Sequence, residues 1–239
     1  MIHSDPQHEG RPWGMGKPAL YFALLSFVLL LGVGVVTQML FDMPLPSMFI
    51  FAVITGLSLR GVLQSYPHEE LGACNGVTLF RAALIAVLFG AIFVPVSAWI
   101  VFSIAVVAFA LDGFDGWLAR RAGLESAFGA RFDMEIDALL GAVLALVLLA
   151  SGTVGYAILV LGFSRYVFVI AGIVWPVLQG DLPQSMRRKT ICVIQIAALI
   201  ILIFPLTPAA LLTPVAVTAA AALLYSFALD ALFLARRGA

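Results

Sequence analysis

Eight apolar stretches, near 18–40, 46–62, 76–94, 97–117, 131–150, 154–176, 190–206 and 210–234, follow one another with only short polar or proline-containing breaks between them. Each is long enough, or nearly so, to cross about 30 Å of hydrocarbon. That one feature removes most folds from consideration. Backbone amides and carbonyls find no water inside a bilayer, so such a segment must satisfy its own hydrogen bonds as a helix. Composition agrees: of 239 residues, 63% are hydrophobic and 11% charged, which describes an all-α integral membrane protein rather than one or two soluble domains.

Charge placement orients the helices. The breaks near 41–46, 95–97, 151–153 and 207–209 contain no Lys or Arg. With these outside and the N-terminus inside, all 13 basic residues fall on the cytoplasmic side or within a helix, as the positive-inside rule requires. Eight spans with both termini in the cytoplasm are therefore expected, in a bacterial inner membrane. The polar first 17 residues precede a first run that is long enough to span and lacks a convincing small-residue cleavage site, so that run is expected to be a retained helix. The net charge is zero, and nothing points to nucleic acid. Cys74 and Cys192 have no metal-type spacing and imply no disulfide framework. A polar interruption at 63–74 divides the chain into a two-helix extension, 18–62, and a six-helix body, 75–236.

The most polar stretch of that body runs from 112 to 137 and holds Asp112, Asp115, Asp133 and Asp137, four of only 13 acidic residues. Carboxylates beside hydrocarbon are costly and call for a functional explanation. On a helix, Asp112, Asp115, Gly116, Ala119 and Arg120 fall within an arc of roughly 140°, while Phe114, Trp117 and Leu118 point away. Such a face can hold a cation at its start, let a flat ligand approach the backbone at Gly116 and Ala119, and pair Arg120 with phosphate. Gly129, Asp133 and Asp137 stack at a period of four on the next helix, with Glu135 on the other side.

Two such helices face to face would bring four carboxylates together, and their repulsion demands counter-charge. Two divalent cations would supply it. The hard oxygen ligands, with no His or Cys nearby, favour Mg²⁺ or Mn²⁺ over zinc. Metals paired in this way serve phosphoryl chemistry, so the substrate is expected to be a phosphate ester or anhydride.

The stretch is similar to the signature of the CDP-alcohol phosphotransferases, DxxDGxxARx8GxxxDxxxD, at every fixed position: Asp112, Asp115, Gly116, Ala119, Arg120, Gly129, Asp133 and Asp137. Upstream, Asn75, Thr78 and Arg81 resemble the N, T and R that open the first helix of that family's core. The resemblance covers the six-helix body and leaves the first two helices outside it. It implies a membrane-embedded transferase that cleaves a CDP-linked donor and releases CMP, working as a homodimer. Asp112, Asp115 and Asp133 would bind metal, and Asp137 would be both the proton acceptor and a metal ligand. Gly116, Ala119, Arg120, Ser126 and Gly129 would line the CDP donor. Solvated loop ends or the pathway of an ion transporter would account for the acids alone, but neither demands Gly116, Ala119 and Arg120 at these spacings.

The donor expected on this reading is CDP-diacylglycerol, and the acceptor a small polar alcohol. Arg165 lies about ten residues into the sixth run, where it must find an anion: either an aspartate of the site or an anionic acceptor. Arg187, Arg188 and Lys189 flank the seventh run, either as a topological signal or as a basic wall for a phosphorylated acceptor or anionic lipid. Together they favour glycerol 3-phosphate as acceptor. Inositol phosphate, inositol, serine and choline stay open, as does headgroup transfer from CDP-choline or CDP-ethanolamine to diacylglycerol. Asp230 is expected to pair with Arg236, Arg237 or another helix and to have no catalytic role.

Overall fold

The computed structural model describes residues 16–175 and 186–237, apart from the side chains of residues 186, 188, 189 and 235–237. Among the described residues are eight helices and no strand: α1 (Lys17–Phe41), α2 (Leu45–Ser65), α3 (Gly72–Gly90), α4 (Ala98–Ala122), α5 (Ala127–Ala150), α6 (Ile158–Val174), α7 (Met186–Ile203) and α8 (Ala209–Arg237). The eight apolar runs each became a helix. Four of them, α1 to α4, and the Ala209–Leu234 part of α8 are long and apolar enough to cross a membrane. Helix α6 and the Thr190–Ile203 part of α7 are shorter, and the first half of α5 carries Arg131, Asp133, Glu135 and Asp137. The chain is an all-α integral membrane protein. The expected polar N-terminal tail falls almost wholly outside the described residues.

The helix ends depart from the hydropathy pattern in one informative way. Helix α4 runs on past 117 to Ala122, and α5 begins at Ala127 rather than 131. A hydropathy run marks only the apolar part of a helix, whereas the backbone ladder continues into the polar stretch until a local signal stops it. Gly123 is that signal: at φ +64° it adopts the left-handed cap that glycine takes without steric cost, and its N–H reaches the Ala119 carbonyl. Ser126 then opens α5 by accepting the Gly129 N–H at 2.9 Å. Helix α3, by contrast, stops at Gly90, where the chain tightens into turns with Ala91 bonded to the Leu88 carbonyl, ahead of Pro95.

Helix α3 is the buried helix of the assembly, covered by α1, α2, α4 and α5. Helix α5 lies between α3, α6 and α7, while α8 packs on α6 and α7. Leu79, Ile85 and Leu88 of α3 meet a core that also contains Ile136, Leu140, Leu144, Leu161 and Leu199. The outward faces remain apolar, with Leu24, Phe27, Val28 and Leu31 of α1 exposed, as expected where the solvent is lipid.

Without a hydrophobic drive between helices in a bilayer, close backbone approach carries more of the stability. One close approach joins α5 to α6. A Cβ built on Gly162 would stand 2.5 Å from the Ala145 Cβ and 3.2 Å from both the Ala142 Cα and the Gly141 carbonyl oxygen. Backbone cannot swing aside as a side chain can, so Gly162→Ala is expected to cost about 1–3 kcal/mol, read as a lower thermal midpoint of the purified protein.

Candidate active site

The site is organised by a cation rather than by its acids. Arg81 is the only basic residue of α3, and its side chain is fully buried. Its NH1 reaches Asp115 Oδ2 at 3.0 Å and Asp133 Oδ1 at 2.5 Å, and its NH2 reaches Asp112 Oδ1 at 3.0 Å and also Asp137 Oδ1. Nε donates to the Ala108 carbonyl at 3.2 Å. One planar fork thus ties two carboxylates of α4 to two of α5, a geometry that a lysine ammonium would not provide.

The spacing explains why these groups meet. Asp112 and Asp115 lie one turn apart on α4, and Asp133 and Asp137 one turn apart on α5, so each pair shares a helix face. Thr78, one turn before Arg81, donates to Asp115 Oδ2 at 3.0 Å. The other oxygen of Asp115 accepts the Gly116 N–H at 2.7 Å. Asp115 is therefore committed at both oxygens, and only 3% of its side chain is exposed.

The other three aspartates differ. Each gives one oxygen to Arg81, and among the described residues the second has no hydrogen-bond donor. Their side chains are 30–39% exposed, and each offers an oxygen within 4.8 Å of the others, close enough to share a metal ion. The charge balance favours added positive charge. Four carboxylates around one guanidinium leave three negative charges, and like charges 5 Å apart repel by about 3 kcal/mol at an effective dielectric of 20. Uncommitted hard oxygens with excess negative charge suit a divalent cation, so the residues present fit the metal that the sequence suggests.

The remaining motif residues lie along the same end of the bundle. Arg120 is exposed and folds back over Gly116, its NH1 only 3.4 Å from where a Cβ would stand. Gly129 has Ser126 Oγ and Asn75 Oδ1 at 3.1 and 3.4 Å from the same virtual atom. Ala119 is half-buried on the α4 face that carries Arg120. Ser126, singled out for donor contact, is engaged in capping α5.

The basic residues found other partners than those anticipated. Arg165 pairs at 2.5 Å with Glu135, the acid that had been left outside the site, and not with one of the four aspartates. The helical wheel explains this: Glu135 lies between Asp133 and Asp137 in sequence but faces α6. Arg187 joins α7 to α8 through Asp230 at 2.5 Å and the Ser226 carbonyl at 3.0 Å, so Asp230 pairs with another helix. The side chains of Arg188, Lys189, Arg236 and Arg237 lie outside the described residues.

The central role of Arg81 had a signal in the sequence, as a lone cation within an apolar run must find an anion, and four acids of the chain stand together.

The sequence model of the CDP-alcohol phosphatidyltransferase family matches residues 72–228, more than half of the chain. Neither the curated proteins nor the solved structures contain a match.

Proposed function

This chain belongs to the CDP-alcohol phosphatidyltransferase family, and from that membership we propose that it transfers a phosphatidyl group from CDP-diacylglycerol to the hydroxyl of glycerol 3-phosphate and releases CMP. The observation that carries this reading is the convergence of Asp112, Asp115, Asp133 and Asp137 on the buried Arg81. When bound there, two Mg²⁺ or Mn²⁺ ions would supply Lewis-acid stabilisation of phosphate oxygens. Asp112, Asp133 and Asp137 would hold them, and Asp115 would join as a fourth ligand by giving up the Gly116 N–H that its Oδ1 now accepts.

The residues divide the remaining work. Arg120 pairs with the donor phosphates above Gly116, whose missing side chain leaves room, and Ala119, Ser126 and Gly129 complete the nucleotide face. Asp137 takes the proton of the acceptor hydroxyl as its oxygen attacks the β-phosphorus. The bond from that phosphorus to the bridging oxygen breaks, and CMP leaves with the electron pair, beside Arg120. A lipid-linked donor is supported by an apolar groove of about 350 Å³ between α4 and α7, lined by Phe102, Val106, Phe109, Ala197, Ile200 and Phe204. Phe109 lies one turn before Asp112, so acyl chains in this groove would end at the site.

For the acceptor, Arg165 is the better placed of the described basic residues. Its Nη2 holds Glu135, but among the described residues its buried Nε has no hydrogen-bond partner, and a buried donor without an acceptor is costly. An acceptor phosphate would satisfy it. Arg187, Arg188 and Lys189, consecutive in the sequence at the start of α7, are the second basic candidates, with Arg187 already engaged by Asp230. Arg165→Ala is expected to raise the KM for glycerol 3-phosphate by about 10-fold or more, from one lost charge-assisted hydrogen bond, with the KM for CDP-diacylglycerol unchanged. An unchanged acceptor KM would remove Arg165 from the acceptor site. The same reading places the site and both termini in the cytoplasm of a bacterial inner membrane, treats α1 and α2 as an extension of a six-helix body, and assigns a homodimer.

A further inference from the structure

The connection between α2 and α3 does more than join two spans. Tyr66 follows α2 directly, and its ring is buried. Its hydroxyl lies 2.8 Å from the carbonyl oxygens of both Glu70 and Leu71 and accepts from Asn75 Nδ2 at 3.2 Å. These bonds fold the connection into a closed loop on the start of α3. Burial pushes the phenol above its ordinary value of 10, so it remains a hydroxyl at physiological pH.

That loop grips the turn between α4 and α5 from outside. His68 stacks edge-on against Tyr66 at 5.5 Å, and its Nε2 stands 3.1 Å from the Glu125 carbonyl. The Tyr66 ring meets Phe128 edge-on at 5.7 Å. Leu124 closes against Gly72, its Cδ1 only 2.7 Å from where a Cβ would stand. The gripped residues, 124–128, lie between Arg120 and Gly129 of the motif and include Ser126.

We propose that the α2–α3 connection is a brace for the donor-binding turn, and that Tyr66 and His68 are positioning residues which set the affinity for the CDP-linked donor. The proposal rests on the reading of residues 116–129 as the donor face. Through this brace the N-terminal helix pair acts on the donor, whereas the described ion pairs of the four aspartates all go to Arg81. His68 holds a backbone carbonyl that has no other tie to the connection, and Tyr66 holds the shape of the loop that presents His68.

The test uses the full-length protein in lipid nanodiscs. His68→Ala and Tyr66→Phe are each expected to raise the donor KM about fivefold, the worth of one neutral hydrogen bond, with kcat and the acceptor KM unchanged. His68→Gln, which keeps an N–H donor, is expected to restore most of the donor affinity. Amide hydrogen exchange over residues 123–129 should accelerate in His68→Ala and return in His68→Gln. This second readout needs no turnover, so it decides the brace even if the wild type released no CMP and the enzyme reading failed. An unchanged donor KM, a fall in kcat and acceptor affinity together with it, or unchanged exchange in that turn would each overturn the proposal.

Discussion

Arg81→Ala is expected to cost about 3–5 kcal/mol of stability, the range found when one partner of a buried ion pair is removed, and to abolish turnover. The guanidinium is fully buried and, among the described residues, is the only cation in contact with all four aspartates. Without it, Asp115 stays buried with Thr78 and the Gly116 amide as its remaining described partners. The Ala108 carbonyl also loses the Nε that reaches it from α3. Arg81→Lys keeps the charge but not the fork, and is expected to fall between alanine and wild type. Thermal unfolding in nanodiscs, followed by intrinsic fluorescence, reads the difference. Because the deficit is one of charge, Mg²⁺ should recover part of the midpoint of Arg81→Ala, where a monovalent salt at equal ionic strength should not. A variant as stable as wild type would show that the four carboxylates do not depend on Arg81.

Asp137→Asn is expected to move activity and stability in opposite directions. As the proposed proton acceptor, Asp137 contributes through general-base catalysis, and its loss should lower kcat by about 100- to 10,000-fold. The same substitution removes one negative charge from a cluster in which acids outnumber the guanidinium, and it keeps the shape of the side chain. Its midpoint without added metal should therefore equal or exceed that of wild type, the pattern expected where a site is held against its own repulsion. A loss of activity that came with a loss of stability would instead mark Asp137 as part of the scaffold.

What the sequence disclosed and what it withheld follow from the range of each interaction. The helices were legible because hydropathy is a local property, and so was the pairing of Asp112 with Asp115 and of Asp133 with Asp137, because one turn of helix fixes it. Glu135 could be set apart on the same ground. The partners of Arg165 and Arg187 were not legible, since Glu135 and Asp230 reach them across helix contacts, α5 to α6 and α7 to α8, whose rotation no local pattern encodes. Hydropathy alone ends where the polar motif begins, but the helical periodicity of residues 112–120 and 129–137 already carried α4 and α5 into it, and Gly123 and Ser126 supplied stop and start signals. The brace formed by Tyr66 and His68 depends on a loop closing over a second loop, and such contacts leave no periodic trace.

If the carboxylate cluster around Arg81 performs metal-dependent transfer from a CDP-linked lipid, CMP release should need the metal, the donor and an acceptor together. The most direct measurement incubates the purified protein with CDP-diacylglycerol, a divalent metal and single acceptors, and quantifies CMP and the lipid formed. CMP release should run in step with a phosphatidyl product, be highest with glycerol 3-phosphate, be abolished by chelation and be lost in Asp137→Asn. Absence of CMP with every acceptor, or CMP release that neither chelation nor Asp137→Asn reduced, would contradict metal-dependent transfer at this cluster.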